Sequence, residues 1–70
     1  MEIILNGNNY SCEGIITVKN LLERLEAEWS IDLKGAVVLV NDEIVKKPLW
    51  EETSIFEGAE IEVLSFVSGG

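Results

Sequence analysis

The chain has 70 residues, 47% of them hydrophobic, and its 13 acidic and 5 basic residues leave a net charge of −8. A chain this short builds one core and has nothing left for a second, and its charge sign excludes the cationic footprint on which nucleic-acid binding depends. Histidine is absent and cysteine occurs once, which removes the usual general base and the commonest metal ligand, leaves no internal disulfide and fits a reducing, cytoplasmic setting.

Ala36 to Val40 is the longest apolar run, far short of the ~18 residues of a membrane span, and no basic-then-apolar leader is visible. A soluble, untargeted protein with no nucleic-acid or membrane partner is expected. Glu2-Ile3-Ile4-Leu5, then Asn6-Gly7-Asn8-Asn9, then Tyr10-Ser11-Cys12 read as strand, turn, strand, with Asn-Gly suited to the positive-φ positions of a hairpin. Cys12 has no identifiable base partner and reads as a small buried hydrophobe.

Thr17 offers a hydroxyl N-cap, and Val18, Leu21, Leu22 and Leu25 recur at the spacing of one buried helical stripe. The pattern predicts a helix of about three turns, with Lys19, Glu23 and Glu26 on a solvated face and Trp29 extending the stripe to close the core. Ala36 to Val40 and Glu43-Ile44-Val45, joined by Asn41-Asp42, read as a second strand pair. Pro48 interrupts regular pairing, and Leu49, Trp50, Ile55 and Phe56 are expected to pin an irregular crossover to the core.

Glu60-Ile61-Glu62-Val63 alternates strictly, as a half-buried strand does, and runs directly toward the end. The order predicts an α+β layer, a mixed sheet with one face under a single helix and the other open. If Ile61 and Val63 face the helix, Leu64 and Phe66 turn to the open face. There they meet Ile4 if the first and last strands are neighbours. A contiguous apolar cluster rimmed by acids marks a docking surface. Val67-Ser68-Gly69-Gly70 then forms an expected flexible tail beyond a domain of residues 1–66. Its glycines carry no Cβ, so bare backbone fits a narrow channel and presents the Gly70 carboxylate to a partner enzyme.

These pieces in register resemble the ThiS-type sulfur carriers of thiamine biosynthesis, in the ubiquitin-like β-grasp group. The resemblance rests on Asn6-Gly7, Leu21-Leu22 with Leu25, Val40-Asn41-Asp42-Glu43-Ile44-Val45, Trp50, the Gly58 to Val63 turn and strand, and Gly69-Gly70. It departs from the family where Glu57-Gly58-Ala59-Glu60 stands in place of a Gly-Asp turn, and where Lys46-Lys47-Pro48 replaces a stretch that often carries arginine.

The resemblance implies a β-grasp fold of four to five strands on one main helix. It implies that a ThiF-type enzyme uses Mg-ATP to adenylate Gly70, that a persulfide protein supplies sulfur to make a thiocarboxylate, and that a thiazole synthase accepts it. Val67, Ser68 and Gly69 would occupy the partner's channel while Ile4, Leu64 and Phe66 dock. The chain would bind no cofactor and act as a protein cosubstrate, not an enzyme. A carrier like the small subunit of molybdopterin synthase shares this chemistry. A ubiquitin-like modifier, whose activated tail meets a lysine amine, and a non-covalent interaction module are the alternatives of other classes.

Overall fold

Turn chemistry builds the first pair of strands in the computed structural model, which describes residues 1–13 and 16–65. Asn6 and Gly7 both adopt positive φ, 50° and 83°, as a two-residue hairpin turn demands when its twist must match the flanking strands. They join β1 (Glu2–Leu5) to β2 (Asn8–Ser11), which pair antiparallel from Leu5↔Asn8 to Glu2↔Ser11. The second strand therefore starts at Asn8, two residues before the expected Tyr10. The two-residue turn consumes only Asn6-Gly7 and leaves Asn8 and Asn9 free to pair. Asn41 and Asp42 repeat the device at φ 50° and 70° between β4 (Val37–Val40) and β5 (Glu43–Val45).

Between these hairpins lie β3 (Ile16–Thr17) and α1 (Val18–Trp29). Thr17 caps the helix as its sequence predicts. Its Oγ1 accepts the Asn20 N–H at 3.2 Å, and its hydroxyl returns a bond to Asn20 Oδ1 at 3.0 Å. Two more first-turn donors, which an α-helix leaves unpaired, bond the crossover, Val18 N–H to Thr53 O and Lys19 N–H to Trp50 O. The helix is thus docked at its start by backbone and along its length by Val18, Leu21, Leu22 and Leu25, all buried.

Trp29 departs from expectation. It is 39% exposed, because the helix stops there with Ser30 in the left-handed region at φ 57°. The chain then turns back and Leu33, at 1% exposure, closes the core in its place. Glu26 departs too, being half-buried with its carboxylate accepting the Leu33 N–H at 2.7 Å, so it holds the returning loop and is not part of a purely solvated face.

The crossover contains a 3-10 helix (Lys47–Leu49) and β6 (Ser54–Ile55), which pairs antiparallel with β3. Trp50 and Ile55 are its buried anchors, whereas Leu49 and Phe56 are exposed, contrary to the expectation that all four are pinned. The 3-10 turn and the two-residue strand each present one side inward, and Trp50 and Ile55 occupy it. The Trp50 Nε1–H donates to Val45 O at 2.8 Å, satisfying the one polar atom that its burial would otherwise strand.

The last strand, β7 (Glu60–Leu64), lies in the middle of a mixed sheet of order β2-β1-β7-β4-β5. It runs parallel to β1, with Leu5 opposite Ile61, and antiparallel to β4, with Val38 opposite Val63. Ile3, Leu5, Val38, Ile61 and Val63 turn inward beneath α1. Each such fully buried aliphatic contributes roughly 1.5–3 kcal/mol through removal from water.

Candidate functional site

Strand parity leaves the sheet face opposite α1 open. On it stand Ile4 (36% exposed), Leu64 (43%) and Ile44 (65%), with the half-buried Val37 and Leu39 of β4 on the same side. Register fixes who neighbours whom: Val37 is opposite Leu64, and Leu39 is opposite both Ile44 and Glu62. Leu64 thus joins an apolar band that crosses β7, β4 and β5.

Ile4 shares this face but sits opposite Glu60, four residues before Leu64 and so about 13 Å away along the strand. It connects to the band through a small recess of about 110 Å³ that Ile4, Leu39 and Glu60 help to line. Beyond Ile44 a second hollow of about 390 Å³ continues past the β5 edge to Leu49 and Thr53. Asp42, Glu60 and Glu62 rim the band with exposed carboxylates.

Phe66, Val67, Ser68, Gly69 and Gly70, the remaining residues singled out from the sequence, lie outside the described residues. Sequence reasoning missed Val37, Leu39 and Ile44 as members of the face, and Leu49 as a wall of the hollow beyond its β5 edge. The signal was present for Leu39 and Ile44, since placing Asn41-Asp42 as a two-residue turn sets them directly opposite one another.

Two polar features hold β7 where it enters and leaves the sheet. The Asn41 N–H donates to Glu60 O at 2.7 Å, and Asn41 Oδ1 accepts the Glu60 N–H at 3.0 Å. At the other end, Asn6 Oδ1 accepts the Val63 N–H at 2.8 Å, while Asn6 Nδ2 reaches Val63 O at 3.4 Å.

Among the described residues no group of three or more His, Cys, Asp or Glu is placed to hold a metal ion, and Cys12 is buried. No helix of the described residues is long and apolar enough to cross a membrane. A groove of about 650 Å³ runs between α1 and the 3-10 segment, where Lys19 and Glu51 pair at 2.7 Å. The hydrogen bond to Glu51 raises the Lys19 pKa, and the same bond lowers that of Glu51. Tyr10, which donates to Glu28 Oε1 at 3.0 Å, has its pKa raised by burial first and by Glu28 second. These are structural contacts. None places a nucleophile beside a base.

The ThiS family model matches residues 3–70. The chain is 29% identical over 70 residues to the sulfur carrier protein ThiS of Escherichia coli, spanning all of both chains. It is equally 29% identical to a thiazole synthase of Paramagnetospirillum magneticum, of which it spans only 20%. The crystal structure of a thiamine biosynthesis protein, ThiS, from Geobacter metallireducens superposes over the full length of both chains with a TM-score of 0.79 at 25% identity. The solution structure of a thiamine biosynthesis protein from the same organism gives 0.75, covering all of this chain and 88% of the other. One helix on a mixed sheet is the β-grasp arrangement of these proteins.

Proposed function

Since this chain belongs to the ThiS family, we propose that it is a sulfur carrier for thiazole formation in thiamine biosynthesis, with Gly70 as the attachment point. The observation that carries this reading is the family match running through to Gly70, with a full-length pairing to a named sulfur carrier. The match to part of a thiazole synthase favours the thiazole branch over a molybdopterin one, because a carrier segment joined to that enzyme places sulfur delivery beside its use.

The chemistry asks little of the carrier. In the first step a Gly70 carboxylate oxygen attacks the α-phosphorus of ATP on a ThiF-type partner, forming an acyl adenylate and releasing pyrophosphate. A persulfide then attacks the acyl carbon and expels AMP, giving an acyl disulfide. A thiolate cleaves the sulfur–sulfur bond, becoming oxidised to a disulfide, and leaves Gly70 as a thiocarboxylate. ATP and Mg2+ belong to the partner, and the chain is a protein cosubstrate.

What this chain contributes is docking and aim. The Leu64, Val37, Leu39 and Ile44 band, with Ile4 at its far end, supplies apolar area, while the acidic rim steers a basic partner toward it. Phe66 would extend the band. Covalent geometry restricts Gly70 to about 18 Å from Ser65, five residues at ~3.6 Å each, so the partner's ATP site lies within that radius of the docked face. Val67, Ser68 and the Cβ-free Gly69 would span it.

The test is the mass of the C-terminal peptide after incubation with ATP, a ThiF-type enzyme and a sulfur source. Sulfur in place of one Gly70 oxygen is the expected result. An unmodified tail beside an active control carrier would overturn the reading. Localisation to the peptide matters, because oxidation of Met1 or Cys12 has nearly the same nominal mass change.

A further inference from the structure

We propose that Asn6 is a positioning residue for sulfur loading: its side chain stands in for the missing next residue of β1 and sets the direction in which β7 delivers the tail. This rests on the carrier reading above. β1 ends at Leu5, and its parallel ladder with β7 pairs Ile4 with Glu60 and Leu5 with Ile61. The Asn6 N–H makes one more rung, to Ile61 O at 2.9 Å. There the main chain leaves, because Asn6 turns into the left-handed region at φ 50° to start the hairpin. β7 still has Glu62, Val63 and Leu64 to run, and its β1-side edge would lie open.

The Asn6 carboxamide fills that edge. The Val63 N–H comes to Asn6 Oδ1 at 2.8 Å, and Asn6 Nδ2 approaches Val63 O at 3.4 Å, so one side-chain amide meets both polar groups of one residue as a neighbouring strand would. Few residues satisfy both demands of this position. Asparagine tolerates left-handed backbone and carries a donor beside an acceptor in the geometry of a peptide.

Asn41 is the internal control that the molecule provides. It has the same φ of 50° and likewise bonds β7 through Oδ1, but at Glu60, where the strand begins. Both clips fix register. Only the one at Val63 acts on the end from which the tail departs, and small errors in the approach of a reacting group cost rate steeply.

The experiment compares Asn6→Gly with Asn41→Gly in steady-state adenylation by a ThiF-type enzyme, with pyrophosphate release followed against carrier concentration. Glycine keeps the left-handed backbone free of strain and removes only the clip. The expected result for Asn6→Gly is a kcat about tenfold lower with KM for the carrier within about twofold, since the docking face is intact. Asn41→Gly retains the wild-type kcat, and Asn6→Asp, which keeps the acceptor for Val63 N–H, recovers part of the loss.

Amide hydrogen exchange at Val63, faster in Asn6→Gly than in Asn41→Gly, reports the open edge independently of the enzyme. If Asn6→Gly proves too unstable to assay, Asn6→Asp against wild type at matched folded fraction carries the test, again with lower kcat expected. A wild-type kcat in Asn6→Gly, or an equal loss in both glycine variants, would overturn the proposal while a loaded wild-type carrier leaves the carrier reading standing. A wild-type protein that is never adenylated sinks the reading on which the proposal rests.

Discussion

Single residues with positive φ carry much of this fold, and they separate backbone cost from side-chain contact unusually cleanly. Gly58 has φ +80°, and a Cβ added there would meet nothing within 4 Å. Its N–H donates to Glu2 O at 2.7 Å, tying the turn before β7 to the start of β1. Gly58→Ala therefore introduces left-handed strain without a clash, and is expected to cost about 1–2 kcal/mol. Urea denaturation should show a lower midpoint with an unchanged m-value, since neither end state gains or loses much surface. A loss above about 3 kcal/mol would mean that the turn has rearranged and that strain alone does not describe it. Asn6 and Asn41 sit in the same region of backbone space, but each offsets its strain with a bond to β7, which is why their replacement tests clip and conformation together unless glycine is used.

At the scale of elements, the open sheet face makes its own prediction. Ile44 lies on edge strand β5 and is 65% exposed, so Ile44→Asp should change stability by no more than about 0.5 kcal/mol. If the band docks the adenylating enzyme, the same change should weaken binding about tenfold or more, since it replaces an apolar contact of that band with a charge that docking would desolvate. Calorimetric titration beside a thermal melt checks both, and unchanged affinity in a folded variant would remove Ile44 from the docking face. Which elements were legible in the sequence follows from the length of their signals. The Val18, Leu21, Leu22, Leu25 stripe and the alternation of Glu60 to Val63 each repeat often enough to mark an element, whereas which β7 face turns inward is settled by the burial of Ile61 and Val63, which leaves Leu64 outward. Two-residue strands such as β3 and β6 have no period to detect, and their pairing is visible only once the crossover is folded. Trp29 misled because its spacing continues the stripe while Ser30, one residue later, ends the helix and hands the core position to Leu33. Membership of Val37, Leu39 and Ile44 in the face depended on a register between β4, β5 and β7, which is a property of the sheet and not of any one strand.

For the whole molecule the decisive quantity is charge. Thirteen acids face five bases, and among the described residues the one ion pair is Lys19–Glu51, both partners well exposed. That pair has a defined window: the lowered Glu51 pKa means its contribution is lost as pH falls through the folded-state value. The raised Lys19 pKa means it is lost as pH rises through that of the amine. At neutral pH it is fully present, yet as an exposed pair it is worth little. Repulsion among unpaired carboxylates is then the larger electrostatic effect on the fold. Raising ionic strength from about 0.01 M to about 0.15 M shortens the Debye length from about 30 Å to about 8 Å, screening that repulsion while sacrificing almost no attraction. The melting temperature should therefore rise, by about 3 °C or more if roughly 0.5–1 kcal/mol of repulsion is relieved. If the acidic rim around the band guides a basic partner to it, docking should respond in the opposite direction, because the same unscreened field would then speed encounter. Melting curves and stopped-flow association across one salt series would show the two signs together. A melting temperature that falls with salt would mean that attractive charge contacts, not repulsion, dominate this acidic surface.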